Sequence, residues 1–128
     1  MVKELIICSI IIAGIIGGNN ITQNYTNTSI ENINSNLTEL VDKINNNDEK
    51  SQIQNKKEEV VKLWENTFPK LAYYIEHDEL EKFANNLENI KTYIEEEDYL
   101  ETKKEINEGI YILKHIEDKY SFNLQNIF

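Results

Sequence analysis

The chain has 128 residues, enough for one domain and a short targeting segment. It carries 23 acidic and 13 basic residues, and the resulting net charge of −10 argues against nucleic acid and anionic lipid as partners, because both favour a basic surface. A single cysteine excludes an internal disulfide framework, and the scarcity of Gly and Pro favours helices.

The first predicted element is a membrane segment at residues 1–18. Its apolar run, residues 5–16, is close to the length of a signal-peptide core, but nothing in residues 5–30 is charged. The stretch can therefore extend towards the roughly 20 residues that a bilayer-spanning helix needs. Cleavage would require small residues at positions −1 and −3, and the Gly17-Gly18 pair leaves an isoleucine at −3. We favour a retained anchor over a cleaved signal peptide, and both over a buried core helix.

The flanks of this segment predict its orientation. The α-amino group and Lys3 precede the apolar run, offset by Glu4, and the positive side of a membrane helix stays cytoplasmic. We therefore predict a single-pass protein of the cell membrane with an extracytoplasmic C-terminal domain, or a secreted protein if the segment is cleaved. Residues 19–27 are polar and uncharged, and we interpret them as a linker.

Residues 28–128 are predicted to form an acidic helical domain. Thr28 and Glu31 match a capping box, which predicts that the first amphipathic helix begins at Thr28 and ends at the asparagines 45–47. The apolar stripe of this helix comprises Ile30, Ile33, Leu37, Leu40 and Ile44. The stripe of the second helix comprises Ile53, Val60, Trp64 and Leu71. Pro69 lies within that second stripe and predicts a kink or a break.

Two further stripes complete the domain. Asp98 and Glu101 separate them as another cap pair, and Gly109 inside the last helix suggests a close helix–helix approach. Their apolar positions are Leu80, Phe83, Leu87, Ile90 and Ile94, then Ile106, Ile110, Leu113 and Ile116. The pattern predicts an all-α fold, in which an N-terminal membrane or signal helix precedes an up-and-down bundle of three to four amphipathic helices. A long coiled coil is the competing arrangement, disfavoured by the charged cluster at residues 45–50.

The candidate metal ligands are few. His77, Glu79, His115 and Asp118 could be assembled into a site, but the Glu-x-x-His and His-Glu-x-x-His patterns of helical metal sites are absent from the sequence. The alternative is that His77 satisfies a helix junction, in which case His77→Gln should cost roughly 1 kcal/mol of stability, as for a buried hydrogen bond. We favour that alternative and predict neither a metal nor a cofactor.

Catalytic patterns are also missing from the sequence. No serine has the context of a nucleophile elbow, and the single cysteine, Cys8, lies in the membrane segment. The acidic run at residues 95–98 lacks the spacing and glycine of an EF-hand loop, so a solvated turn is the simpler interpretation. We predict that the protein is not an enzyme.

Several positions together resemble the family called domain of unknown function 4363, from Gram-positive bacteria of the Bacillus and Clostridium type. The residues that carry the resemblance are Trp64, His77, Glu79, Leu80, Asn126, Ile127 and Phe128. The resemblance covers essentially the whole chain and implies an apolar N-terminus, a helical remainder and no established activity. We expect Ile127 and Phe128 to pack back on the bundle.

These observations favour a membrane-tethered helical protein that contacts another protein, whose identity the sequence does not specify. The alternative is a secreted or tethered protein that binds a small ligand or a metal. A hydrolase is a third possibility, supported by no visible motif.

Overall fold

The structure is a computed structural model that describes residues 1–120 as four helices. They are α1 (Val2–Asn45), α2 (Lys50–Leu71), α3 (His77–Glu95) and α4 (Tyr99–Tyr120), and this described part of the chain contains no strand. The predicted all-α fold is confirmed. Residues 121–128, which include the predicted packing residues Asn126, Ile127 and Phe128, lie outside the described residues.

The helices form an up-and-down bundle. α1 packs against α2 and α4, α3 packs against α4, and α2 and α3 touch each other least. Asn45 at the end of α1 accepts a hydrogen bond from Lys103 near the start of α4 at 3.2 Å, so these two helices are antiparallel. The predicted bundle topology is therefore present, with the N-terminal half of α1 extending beyond it.

The bundle has two distinct ends, which we call the base and the tip. At the base, where α1 enters, the hydroxyl of Tyr74 in the α2–α3 turn lies 2.6 Å from the hydroxyl of Thr26. At the tip, where the α1–α2 and α3–α4 turns meet, Lys50 lies 3.5 Å from the carboxylate of Glu97. The apolar extension of α1 therefore leaves the molecule from the base.

A single core unites the four apolar stripes. Its fully buried members include Ile30, Ile33, Leu37, Leu40, Leu71, Leu80, Phe83, Ile90, Ile94, Ile106, Leu113 and Ile116. Phe83 of α3 meets the ring of Trp64 of α2 edge to face, with the ring centroids 4.7 Å apart. This aromatic pair is an apolar link between α2 and α3, whose backbones lie close together at fewer positions than those of the other neighbouring helices.

The structure corrects the predicted linker and the predicted start of the first helix. Residues 19–27 are helical, and Thr28 lies inside α1 instead of capping it. The hydroxyl of Thr26 bonds to the carbonyl of Thr22 at 2.8 Å, and Thr26 itself is buried against the bundle. Polar residues continue a helix where their side chains bond one turn back and no proline intervenes. The bundle and the apolar segment thus share one uninterrupted helix.

Other helix ends are set by residues next to them in the sequence, as the predictions for the end of α1 and the start of α4 required. Asn47 adopts a left-handed conformation with φ 54° after α1, as predicted for this asparagine run. The Asp98 carboxylate accepts a hydrogen bond from the backbone N–H of Glu101 at 3.2 Å, which confirms the predicted cap of α4. Pro69 lies in the last turn of α2, which continues to Leu71 before the chain turns.

Among the described helices, only α1 is long enough and apolar enough to cross a membrane, and its apolar part is the N-terminal half. Its best 18-residue window has a mean hydropathy of 1.9, and none of that window is buried. A signal sequence near an N-terminus has the same character. The apolar surface of this segment is therefore available to a membrane, whereas the apolar stripes of the bundle are not.

Candidate functional site

The four predicted metal candidates do not assemble. His77 is the first residue of α3 and His115 and Asp118 are exposed on α4, whereas Glu79 is buried. Within residues 1–120, no group of three or more His, Cys, Asp or Glu side chains is placed to hold a metal ion. Glu79 and His115 are close enough to interact electrostatically, and this is the only link among the four that the described residues show.

His77 lies at the predicted helix junction, as the first residue of α3, but its side chain is not buried there. The imidazole is 74% exposed, and its Nε2 lies 3.8 Å from the carboxylate of Glu81 on the next turn of α3. A solvent-exposed pair at this spacing contributes only a few tenths of a kcal/mol. His77 therefore does not make the buried hydrogen bond on which the expected 1 kcal/mol loss depended.

We now expect His77→Gln to change the free energy of unfolding by less than about 0.5 kcal/mol, because the side chain faces water. Urea unfolding of the full chain in a non-ionic detergent, followed by circular dichroism, measures the change. A loss of 1 kcal/mol or more, the scale of a buried hydrogen bond, would contradict the exposed placement.

Glu79, two residues later, is the buried member of this block. One carboxylate oxygen, Oε1, lies 3.1 Å from Nζ of Lys119 on α4. Lys119 also lies 3.7 Å from the carboxylate of Glu76. The hydrogen bond from Lys119 lowers the pKa of Glu79, and the same bond raises the pKa of Lys119. Glu79 thus joins the start of α3 to the end of α4.

Because its pKa is lowered in the folded state, Glu79 stabilises the bundle at neutral pH. That contribution is present above the ordinary carboxyl pKa of about 4 and is lost as the pH falls through the lower folded value. We expect Glu79→Gln to be less stable than the wild type at pH 7, and this difference to shrink towards pH 3.

Thermal melts of the two proteins between pH 7 and pH 3 test the prediction. Glu81→Gln is the matched control, since Glu81 is half exposed on the same helix. A stability difference for Glu79→Gln that is independent of pH would contradict it.

Gly109 marks the closest approach of α3 and α4. A Cβ at this position would overlap Oδ1 of Asn86 and lie 3.3 Å from the ring of Phe83. Asn86 cannot move freely, because its amide nitrogen donates to the carbonyl and the carboxylate of Glu105 at 2.8 and 3.0 Å. The predicted close helix–helix approach at Gly109 is confirmed.

We expect Gly109→Ala to destabilise the bundle by about 1–2 kcal/mol. Overpacking costs typically 1–3 kcal/mol, and the better helix propensity of alanine returns up to about 1 kcal/mol. Urea unfolding measures the loss. In an Asn86→Ala background the overlap with Oδ1 is gone and only the 3.3 Å contact with the Phe83 ring remains, so the same Gly109→Ala change should be clearly less destabilising. A stabilising Gly109→Ala in the wild-type background would contradict the close contact.

A polar groove opens beside this contact on the outside of α3 and α4. Its volume is about 400 Å³, and it is lined by Lys82, Asn85, Asn86, Asn89, Glu105, Glu108, Tyr111 and Ile112. Tyr111 is 73% exposed, and Leu100, three turns earlier on the same helix face, is also exposed. We call Leu100 and Tyr111 the α4 outer face. The groove therefore offers amide, carboxylate, ammonium and phenol groups that can form hydrogen bonds with a partner. The exposed apolar surface of the α4 outer face lies on one of the same two helices.

A second cleft lies at the base. It measures about 370 Å³ and is lined by Asn19, Thr22, Gln23, Thr26, Tyr74, Glu76, Lys119 and Tyr120. The hydroxyl of Tyr74 donates to the carbonyl of Thr22 at 3.3 Å, and the N–H of Glu76 donates to the hydroxyl of Tyr120 at 3.0 Å. Burial raises the pKa of Tyr74. These bonds fix the α2–α3 turn onto α1 and α4, and sequence patterns that follow apolar residues alone miss them.

Comparison with known proteins gave one match. The family model described as Domain of unknown function (DUF4363) matches residues 20–127. The match begins within α1, just after the apolar segment, and includes the bundle with Trp64 and the block from His77 to Leu80. The resemblance drawn from those residues is therefore confirmed. No curated protein and no solved structure matched.

Proposed function

The chain belongs to the DUF4363 family, a domain of unknown function, and from that premise we propose that it is a membrane-tethered helical module that binds another protein outside the cytoplasm and has no catalytic activity of its own.

The proposed membrane tether is supported by one observation, the exposure of the apolar residues of α1. Residues 2–16 of α1 are all exposed, although most of them are apolar, whereas the apolar stripes of the bundle are sealed in its core. Exposing this much apolar surface to water is unfavourable, at roughly 25 cal/mol per Å². A bilayer removes that cost, so the segment supports a membrane location for the full chain.

Charge supports the extracytoplasmic side. Lys3 and Glu4 cancel, so residues 19–128 carry the entire net charge of −10. The α-amino group and Lys3 precede the apolar run, and positively charged flanks remain on the cytoplasmic side. The bundle then lies on the opposite side.

The α4 outer face supports a protein partner. Among the described residues of the bundle, three large apolar or aromatic side chains are exposed, and two of them, Leu100 and Tyr111, share this face. Isolated exposed apolar side chains are common, but here Tyr111 lines a polar groove between two helices. Exposed aromatic residues beside hydrogen-bonding groups are typical of protein-binding surfaces.

The charged and polar clusters support a non-catalytic role. Glu79 is paired with Lys119, and Asn86 is bonded to Glu105, in both cases between α3 and α4. Both interactions hold α3 and α4 together, which is a structural use of these polar groups.

Site-specific photocrosslinking on intact cells tests the proposal. A photoreactive residue at Tyr111 should yield one discrete adduct with a second protein. The matched control is the same residue at Lys62, which is exposed on α2, the helix diagonally opposite α4. Adducts of equal yield and mass from both positions, or none from Tyr111, would contradict a specific partner on the α4 outer face.

A further inference from the structure

The turns at the two ends of the bundle differ in chemistry. At the tip, the turns at residues 46–49 and 96–98 carry five acidic residues, namely Asp48, Glu49, Glu96, Glu97 and Asp98. At the base, the turn at residues 72–76 reads Ala-Tyr-Tyr-Ile-Glu and contains a single charge. The base turn is therefore the least charged of the three turns and lies next to the apolar segment, although α3 begins beside it with Asp78 and Glu79.

The base is held at a defined height on α1. Tyr74 bonds to Thr22 and Thr26 of that helix, so the α2–α3 turn lies level with residues 22–26. An α-helix rises about 1.5 Å per residue, so the 20 residues from Leu5 to Asn24 span about 30 Å. This is the thickness of a bilayer's hydrocarbon core. If Leu5 lies at one hydrocarbon boundary, the base of the bundle lies at the other.

The apolar run is shorter than the hydrocarbon core, which leaves two placements. The largely apolar part, from Leu5 to Gly18, covers about 21 Å, so the bilayer must thin or take in the polar residues that follow. If those polar residues are taken in, the turn at 72–76 lies at the hydrocarbon boundary. If the bilayer thins, residues 22–26 lie about 6–12 Å beyond Gly18, in the outer part of a headgroup layer that is roughly 5–8 Å deep and at its edge. Since α1 is continuous from Val2 to Asn45, no loop separates the bundle from the membrane.

From this geometry we propose that the base of the bundle docks on the lipid surface, with Tyr73 of the α2–α3 turn inserted among the head groups. Tyr73 is 89% exposed, more than any other large apolar or aromatic side chain in the described part of the bundle. Tyrosine is favoured at this depth because its ring is apolar and its hydroxyl remains hydrated. Next to it, the Lys70 ammonium lies 5.5 Å from the ring of Tyr25 and can reach lipid phosphates. The inference rests on the membrane tether proposed above and adds a second contact to it.

The experiment places a nitroxide spin label at position 73 of the full chain in neutral phosphatidylcholine vesicles. Cys8 is the only cysteine, so Cys8→Ser provides a background for Tyr73→Cys and for the tip control Glu96→Cys. Collision with oxygen, which partitions into lipid, and with a nickel chelate, which stays in water, reports the depth of each label. We expect a several-fold higher oxygen-to-nickel ratio at position 73 than at position 96.

Flotation of the same samples separates the two proposals. Protein that floats with the vesicles and gives equal ratios at both positions keeps its tether and overturns the docked base. Protein that fails to float overturns the tether, and the docked base with it. Protein that floats and shows the raised ratio only at position 73 supports both.

Discussion

Replacing Phe83 by alanine should lower the free energy of unfolding by roughly 3–5 kcal/mol, the range measured for buried Phe-to-Ala changes. The ring is fully buried, its centroid lies 4.7 Å from that of Trp64 on α2, and its edge lies beside Gly109 on α4. One side chain therefore joins three helices. The neighbours cannot collapse easily into the space, because Asn86 and Gly109 already hold α3 and α4 at their closest distance.

Urea unfolding of the full chain in detergent, monitored by circular dichroism, measures this loss. The matched control is Tyr111→Ala, which truncates another aromatic residue that is largely exposed and should change stability by less than about 0.5 kcal/mol. A Phe83→Ala loss below about 1 kcal/mol, or one no larger than that of Tyr111→Ala, would contradict the central position of this ring.

The fold could be predicted because apolar residues that recur at helical spacing mark the buried face of each helix. The stripes through Leu37, Leu87 and Leu113 follow the helical repeat, and each of these residues is buried where the pattern placed it. Two helix ends could also be predicted. Asn47 ends α1 by adopting a left-handed backbone conformation, and the Asp98 carboxylate caps α4 by accepting a backbone hydrogen bond. Local rules were sufficient at these two helix ends, whereas the capping box of Thr28 and Glu31 placed the start of α1 incorrectly.

Burial of polar residues was much harder to predict. Lys57 and Thr67 occupy the core-facing positions of α2 between Ile53 and Leu71, at the same alternating spacing as the apolar residues, and both are buried. Lys57 reaches the carboxylate of Glu58 at 3.1 Å while its methylene stem packs inside. Spacing could have identified these two positions, had polar residues been allowed in the stripe.

The candidate site required contacts between distant segments. Glu79 and Lys119 are 40 residues apart, and the exposure of His77 depends on how α3 begins. Single-sequence patterns contain no information on which of the many carboxylates in so acidic a chain meets a lysine. The same limit applies to the incorrect linker, because Thr22 and Thr26 in that helical stretch bond to Tyr74, far along the chain.

The second large effect should come from charging the apolar segment. Ile10→Arg together with Ile11→Arg puts two arginines near the centre of the exposed run, at a cost of roughly 2.5–3.5 kcal/mol each for insertion into a bilayer. The free energy of insertion of this segment is only modestly favourable, since its apolar run is shorter than the roughly 20 residues that a membrane span needs. We expect the double variant to move from the membrane fraction to the soluble fraction, with the bundle still folded.

Fractionation of cells expressing each form, followed by alkaline extraction of the membranes, measures this redistribution. Ile10→Val with Ile11→Val is the control, because it changes the same positions without adding charge. The bundle should be unaffected in both variants, since residues 2–16 lie outside its core and the described apolar contacts of the bundle involve later residues. Helical circular dichroism with an unchanged melting temperature would show that. A doubly charged segment that still resists alkaline extraction would contradict the prediction, because only a segment inserted in the bilayer withstands that treatment.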